Sequence, residues 1–255
     1  AATAGNSNIA LGTAAMDAVT CGACNIALGI NALGASTTGC YNIALGVQTL
    51  GVAVTTGNGN IGMGYGSGDA LTSGSYNVAI GSEALSASTT ASYNVAIGQV
   101  ALGGADTTGC YNIALGYTVM DALTTGKWNI GMGLNALGAS TTGCNNIAVG
   151  QQALGVADTT GNDNIAIGQA AMDALTNGAC NIAMGINAYG TATAGSHNVS
   201  IGMLAMGGSL VTGSSNIALG TNAMDALTSG ICNIAIGTNA LGASTTGCLN
   251  IAIGD

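Results

Sequence analysis

Bulky and small apolar residues alternate in short runs that recur along the whole chain, as in Ile9-Ala10-Leu11, Val78-Ala79-Ile80, Ile147-Ala148-Val149 and Ile251-Ala252-Ile253. A period of two is that of a β-strand, with the bulky pair on one face and the small residue on the other. An asparagine precedes each run and a glycine follows it, fifteen times between Asn8 and Gly254. The asparagines are spaced 17, 17 and 18 residues apart in rotation, so the deeper unit is 52 residues in three unequal copies. A strict short period of this kind predicts an all-β chain, a single repetitive parallel β-solenoid or β-roll over 1–255 with about 15 coils. Each strand is expected to be about five residues long, ending at a glycine corner.

The second half of each copy is less regular. Ala32-Leu33-Gly34-Ala35 and Ala171-Met172-Asp173-Ala174-Leu175 read as a second short strand or a single helical turn, and the strand is the expectation. Thr-rich turns such as Thr37-Thr38-Gly39 close the copy, with side chains able to bond local backbone. The extra residue of the 18-residue copy falls in this loop, where a bulge costs least. Stacked at the ~4.8 Å strand spacing, fifteen copies span about 70 Å, and their aligned asparagines form a hydrogen-bonded ladder.

The mid-strand residue stays small in every copy: Ala throughout, except Gly62, Gly131 and Ser200. An outward face in water drifts among polar residues, so this constancy predicts close cover, either by a second wall of the same chain or by other chains. A coil of about 17 residues leaves little chain for two thick walls, and identical chains packed about an axis, a homotrimer, are expected. On this reading Ala114, Ala148 and Ala166 face neighbouring chains. Ala148→Gln breaks the assembly, whereas a change at Gln151 is tolerated.

Composition narrows the function. Only 4% of residues are charged and the net charge is −9, with Lys127 the one basic side chain besides His197. Nucleic-acid binding depends on phosphate-neutralising cations, so DNA and RNA are excluded as expected partners. Gly, Asn and Thr interrupt every apolar run well short of the ~18 residues of a membrane span. Neither a leader pattern nor an initial Met is visible, and Ala1 and Asp255 fall inside repeats, as at processed or cut ends.

Catalysis needs a nucleophile, a base and an orienting group within mutual reach, and the lone His197 has no such companions in sequence. Cys21-Gly-Ala-Cys24 lacks a second pair for zinc and the βαβ setting of a redox motif. The eight cysteines, in the turns before Asn, are expected to be buried thiols acting as small apolar residues. Asp17, Asp69, Asp121, Asp173 and Asp225 recur every 52 residues, too far apart for one chain to chelate calcium, and read as solvated charges. No enzyme activity, metal or cofactor is expected.

Asn-Ile-Ala-Leu-Gly-x-x-Ala-Leu-x-x-x-Thr-Thr-Gly resembles the repeats of phage tail-fibre and adhesin proteins, and more distantly the Asn-x-Val-Ala-Ile-Gly head repeats of trimeric autotransporter adhesins. The resemblance extends over essentially the full chain, although the autotransporter copies are shorter. It implies a homotrimeric, parallel β-roll fibre on a cell or virion surface. The function it implies is structural and adhesive.

One irregular patch stands out on this regular body. The residue before Asn is aromatic in four successive copies, Tyr76, Tyr93, Tyr111 and Trp128, with Lys127 beside Trp128 and Tyr41 two copies earlier. Stacked at strand spacing, the rings form a stripe about 15 Å long, a candidate platform for a cell-surface glycan or receptor. Two other functions fit the repeats: an ice-binding solenoid using the threonines, and a self-assembling extracellular filament. Against the first, adjacent threonines such as Thr141-Thr142 point to opposite faces, whereas a flat ice-facing array needs Thr-x-Thr on one face.

Overall fold

Every Asn-led alternation forms a strand, shorter than expected at three residues. In the first of two compact units, Ala1–Trp128, these are β1 (Ile9–Leu11), β2 (Ile26–Leu28), β3 (Ile43–Leu45), β4 (Ile61–Met63), β5 (Val78–Ile80), β6 (Val95–Ile97) and β7 (Ile113–Leu115). In the second, Asn129–Asp255, they are β8 (Ile130–Met132), β9 (Ile147–Val149), β10 (Ile165–Ile167), β11 (Ile182–Met184), β12 (Val199–Ile201), β13 (Ile217–Leu219), β14 (Ile234–Ile236) and β15 (Ile251–Ile253). Within each unit consecutive strands pair in parallel and in register, Ile26 beside Ile43 and Ile147 beside Ile165. The fold is an all-β parallel β-solenoid, one strand per coil. This computed structural model describes residues 5–254, so Ala1 and Asp255, and the reading of them as cut ends, lie outside the described residues.

The asparagine ladder forms as expected. Asn25 Oδ1 accepts the backbone N–H of Asn42 at 2.8 Å, and Asn42 Oδ1 accepts that of Asn60 at 2.8 Å. Each amide also donates to the carbonyl three residues before the next asparagine, Asn42 to Gly57 at 2.9 Å and Asn60 to Gly74 at 2.8 Å. These side chains are fully buried, so their hydrogen bonds satisfy groups that would otherwise cost about 1–3 kcal/mol each. At the strand end, Gly29 has φ 138°, and a Cβ there would strike the carbonyl of Gly46 in the next coil. Glycine is required at this corner by both conformation and space.

The second half of the copy is not a strand. It is a run of turns in which positive φ alternates with ordinary φ: Asn31 at 58° and Leu33 at 50° sit third in two overlapping turns closed by Ala32 N–H to Gly29 O and Gly34 N–H to Asn31 O. Positive φ at that place is the type II turn geometry. Adjacent coils still bond, Asn31 N–H to Thr13 O at 2.9 Å and Leu33 N–H to Thr49 O at 3.0 Å. The backbone therefore stacks at every level without ever extending.

The mid-strand alanines point inward, a correction to the outward cover expected for Ala114, Ala148 and Ala166. All three are fully buried inside their own coil, where a strand meets the turn run. Smallness is imposed by the narrow interior: a Cβ on Gly62 would come 2.5 Å from Thr49 Cγ2 and 3.3 Å from Leu50 Cγ. Leu33, Leu50, Leu85 and Leu102 in the first unit, and Leu137, Leu154 and Met172 in the second, complete the core at essentially zero exposure. Each such side chain contributes about 1.5–3 kcal/mol of burial.

The 52-residue period has a packing origin. One interior corner is filled in rotation by Leu71, Ser88 and Thr107, then by Leu123 again, all buried. The threonine comes from the longer copy, and its hydroxyl donates to the leucine carbonyl of the next coil, Thr107 to Leu123 O at 2.7 Å and Thr159 to Leu175 O at 2.9 Å. The serine hydroxyl in turn donates to the threonine carbonyl, Ser36 to Thr55 O at 3.0 Å and Ser140 to Thr159 O at 2.7 Å. Because β3 and β4 remain in register across an 18-residue copy, the extra residue is absorbed in this corner, as expected.

Candidate attachment surface

Outward of each strand lie the bulky residues, not the small ones. The first and third strand positions are Ile or Val and Leu, Ile, Met or Val in all fifteen copies, and all are partly or fully exposed. Two files of aliphatic side chains thus run along each unit with no polar residue in either file. A third file, two residues beyond the strand, mixes apolar and polar: Ile30, Val47 and Tyr65 with Ser82 and Gln99 in the first unit, Ile186 and Met203 with Gln151 and Gln169 in the second. Gln151 is exposed. Contiguous exposed apolar surface of this extent is uncommon on single folded chains, which makes this face the candidate interaction surface.

Beside these files runs the residue preceding Asn, with φ near 60° in every case and exposed except at the half-buried Gly59. Here Tyr76, Tyr93, Tyr111 and Trp128 form one continuous stack with ring centroids 5.2, 5.0 and 6.2 Å apart and planes within 17° of parallel. Their faces therefore cover one another, and the surface they present is a row of ring edges and hydroxyls. Lys127 is exposed next to Trp128. Tyr41 lies in the same file but outside the stack, because the intervening position is Gly59.

The remaining polar groups are structural. The exposed threonines Thr38, Thr56, Thr90 and Thr108 form one file, while their neighbours Thr55 and Thr107 are buried. Two residues further on, where a flat threonine array would need its second file, stand Cys40, Asn58, Ser92 and Cys110.

The cysteines are not buried: Cys21, Cys24, Cys180, Cys232 and Cys248 are exposed, and Cys40, Cys110 and Cys144 half-buried. At the position two residues before Asn, a side-chain ladder runs that was missed in the sequence. Cys40 Sγ accepts the N–H of Ala23 at 3.4 Å, the role that Ser75 Oγ plays for Asn58 N–H and Ser92 Oγ for Ser75 N–H. Its signal was the interchange of Cys, Ser and Asn at one position.

Asp69, Asp121 and Asp173 are half-buried and so less freely solvated than expected, whereas Asp17 is exposed. Desolvation raises the pKa of all three, opposed by bonds from their own N–H and that of the following alanine, and Glu83 adds to the rise at Asp69. Among the described residues no three His, Cys, Asp or Glu side chains converge, and His197 is exposed in the file before Asn. No protein-family model matches the chain, and no curated protein matches it.

Proposed function

We propose that the chain is a non-catalytic structural shaft of an extracellular fibre or adhesin, on a cell or virion surface, in which identical chains associate through the aliphatic strand files. The observation that carries this reading is the unbroken pair of outward Ile/Val and Leu/Ile/Met files, which is maintained through all fifteen copies while neighbouring files vary. A face used by one unchanging partner keeps one unchanging chemistry, and a second copy of the same repeats supplies it. A parallel homotrimer is the assembly supported by the resemblance of the repeats. The aromatic file of Tyr76, Tyr93, Tyr111 and Trp128 with Lys127 lies at the rim of this face, where its neighbours in other copies are Asp163 and His197, and serves as the attachment site for a surface glycan or receptor.

The mass of the native particle tests the assembly. Ile147→Lys with Ile165→Lys places two charges on the face and is expected to give a folded single chain of 24.2 kDa, while Thr160→Lys on the threonine file leaves the oligomer intact. A native particle with the mass of one chain at micromolar concentration overturns the reading. Attachment is tested by replacing Tyr93, Tyr111 and Trp128 with Ser, which is expected to lower binding to cells or a glycan array with circular dichroism unchanged.

A further inference from the structure

The two strand files by themselves set no axial position for a neighbouring copy. In the second unit every first strand position is Ile or Val and every third is Ile, Leu, Met or Val, so a copy displaced by one coil, ~4.8 Å, meets the same chemistry. The face is large enough to hold a copy. Two such side chains from each of eight strands, with Met132 40% and Ile167 39% exposed among them, present on the order of 1,000 Å², against the ~800 Å² per partner of a standard interface. What varies lies on the two edges of the face, and it varies together. Beside β9 and β10 the edge before Asn carries Asn145 and Asp163, and the edge two residues past the strand carries Gln151 and Gln169, all four exposed. Beside β11 and β12 the same edges carry Cys180 and His197, and Ile186 and Met203, also exposed. The φ of 58° at Asn145 and 60° at Asp163 in itself favours Asn and Asp there. Gln151 and Gln169 have no positive φ, so the backbone does not call for their amides, and neither amide hydrogen-bonds within the described residues.

We propose that Asn145, Gln151, Asp163 and Gln169 form a polar collar that fixes the axial register of a second, parallel copy of the chain. This deepens, and rests on, the reading of the strand files as the face on which identical chains associate. When copies are related by rotation about an axis parallel to the coil stack, equivalent residues lie at one level, and the edge before Asn in one copy meets the opposite edge of the next, for two copies or three. Gln151 then faces Asn145, and Gln169 Nε2 donates to the Asp163 carboxylate, while Ile186 meets Cys180. Displacement by one coil breaks this set in either direction, since it puts Gln169 against Cys180 or Ile186 against the Asp163 carboxylate. A polar group left against an apolar one is the device by which a single position sets the register of an otherwise uniform coiled coil. Here it acts on uniform strands.

Oxidative cross-linking of the native particle reads the register. Ile186→Cys sets a thiol on the far edge of the Cys180 coil, and Met203→Cys sets one a coil further on. Copper phenanthroline in air joins either thiol to Cys180 of the next copy, and peptide mass identifies the link. A three-residue strand with its Asn and Gly separates the two edges of one chain, more than the ~7 Å that a disulfide spans, so a link to Cys180 is a link between chains. Ile186→Cys is expected to link at least tenfold more than Met203→Cys. Asp163→Leu with Gln169→Leu makes one step of the collar apolar with residues these files already carry, Leu249 at φ 59° and Leu134. In that background the ratio is expected to fall below threefold with the native mass unchanged. A ratio that stays at tenfold overturns the collar and leaves association standing, as do equal links in the chain with its collar intact, or an oligomer in which neither thiol links to Cys180. A native particle with the mass of one chain overturns both. Should the leucine pair precipitate, the alanine pair at the same positions is judged by the same ratio.

Discussion

Positive φ on side-chain-bearing residues is the local cost of this coil. Three positions per described coil adopt it, and at them an L-residue is disfavoured by about 1–2 kcal/mol unless it is Gly, Asn or Asp. The sixth residue after the strand-leading Asn is Asn in several copies, where Asn31 and Asn135 also donate to Gly51 O and Gly155 O of the next coil. Val100 holds the same place at φ 57° with a β-branched side chain, the least suited of all. Val100→Asn is therefore expected to stabilise by about 1 kcal/mol, read as a higher urea midpoint, and an unchanged or lower midpoint counts against strain at this site. A second residue stands out in the rotating corner, where Ser88 Oγ is buried without a partner although Ser36 and Ser140 at equivalent places are bonded. Removing an unsatisfied hydroxyl is neutral or stabilising while removing a bonded one costs about 1 kcal/mol. Ser88→Ala and Ser140→Ala are expected to differ in that direction, and equal losses would show Ser88 to be bonded in solution.

Each coil pairs a three-residue strand with a turn run, and the interior between them holds a fixed volume. Where Thr49 replaces the usual alanine of the turn run, the facing strand has Gly62 in place of alanine, and a Cβ there would meet Thr49 Cγ2 at 2.5 Å. Gly62→Ala is expected to cost about 1–3 kcal/mol by overpacking. Adding Thr49→Ala restores the Ala–Ala combination of other successive coils, such as Ala32 with Ala44 of the next coil, so the double variant should recover most of the loss. A thermal-melt cycle that shows simple additivity would remove this coupling. The strand, its Asn ladder and its glycine corner were legible in the sequence because period two, an amide and a positive φ each leave a residue-level mark. The turn run was not legible, since Ala-Leu and Ala-Met carry no sign of the left-handed conformation that Leu33 and Met172 adopt. Which strand face turned inward was misjudged for a related reason: alternation shows that two faces differ, and the interior width that decides between them comes from the turn run. Of the candidate site, the four-ring file was legible from its spacing, while the occlusion of its faces follows from ring orientation.

At the scale of the whole molecule, the charge is as unusual as the repeats. A chain carrying −9 has one lysine to offset its carboxylates, so self-repulsion acts on any close association of copies. Three of those carboxylates, Asp69, Asp121 and Asp173, are half-buried where the loss of solvent raises their pKa in the folded chain. A group raised on folding binds its proton more readily when folded, so its stabilising contribution is full below the unfolded value, about 3.9 for Asp, and is lost as pH rises through the folded value. Stability should therefore increase as pH is lowered from 7 towards about 4, the reverse of ordinary acid denaturation. The same protonation lowers repulsion between copies of the chain, so the proposed oligomer should tighten over the same window. Urea midpoints and native mass at pH 7, 5.5 and 4 measure both. The combined Asp69→Asn, Asp121→Asn and Asp173→Asn variant is expected to raise the midpoint at pH 7 and flatten the profile, whereas Asp17→Asn, at an exposed position, changes neither. A wild-type midpoint that falls steadily from pH 7 to 4 would mean that the desolvated aspartates do not govern the response and that bonds to their ionised forms prevail.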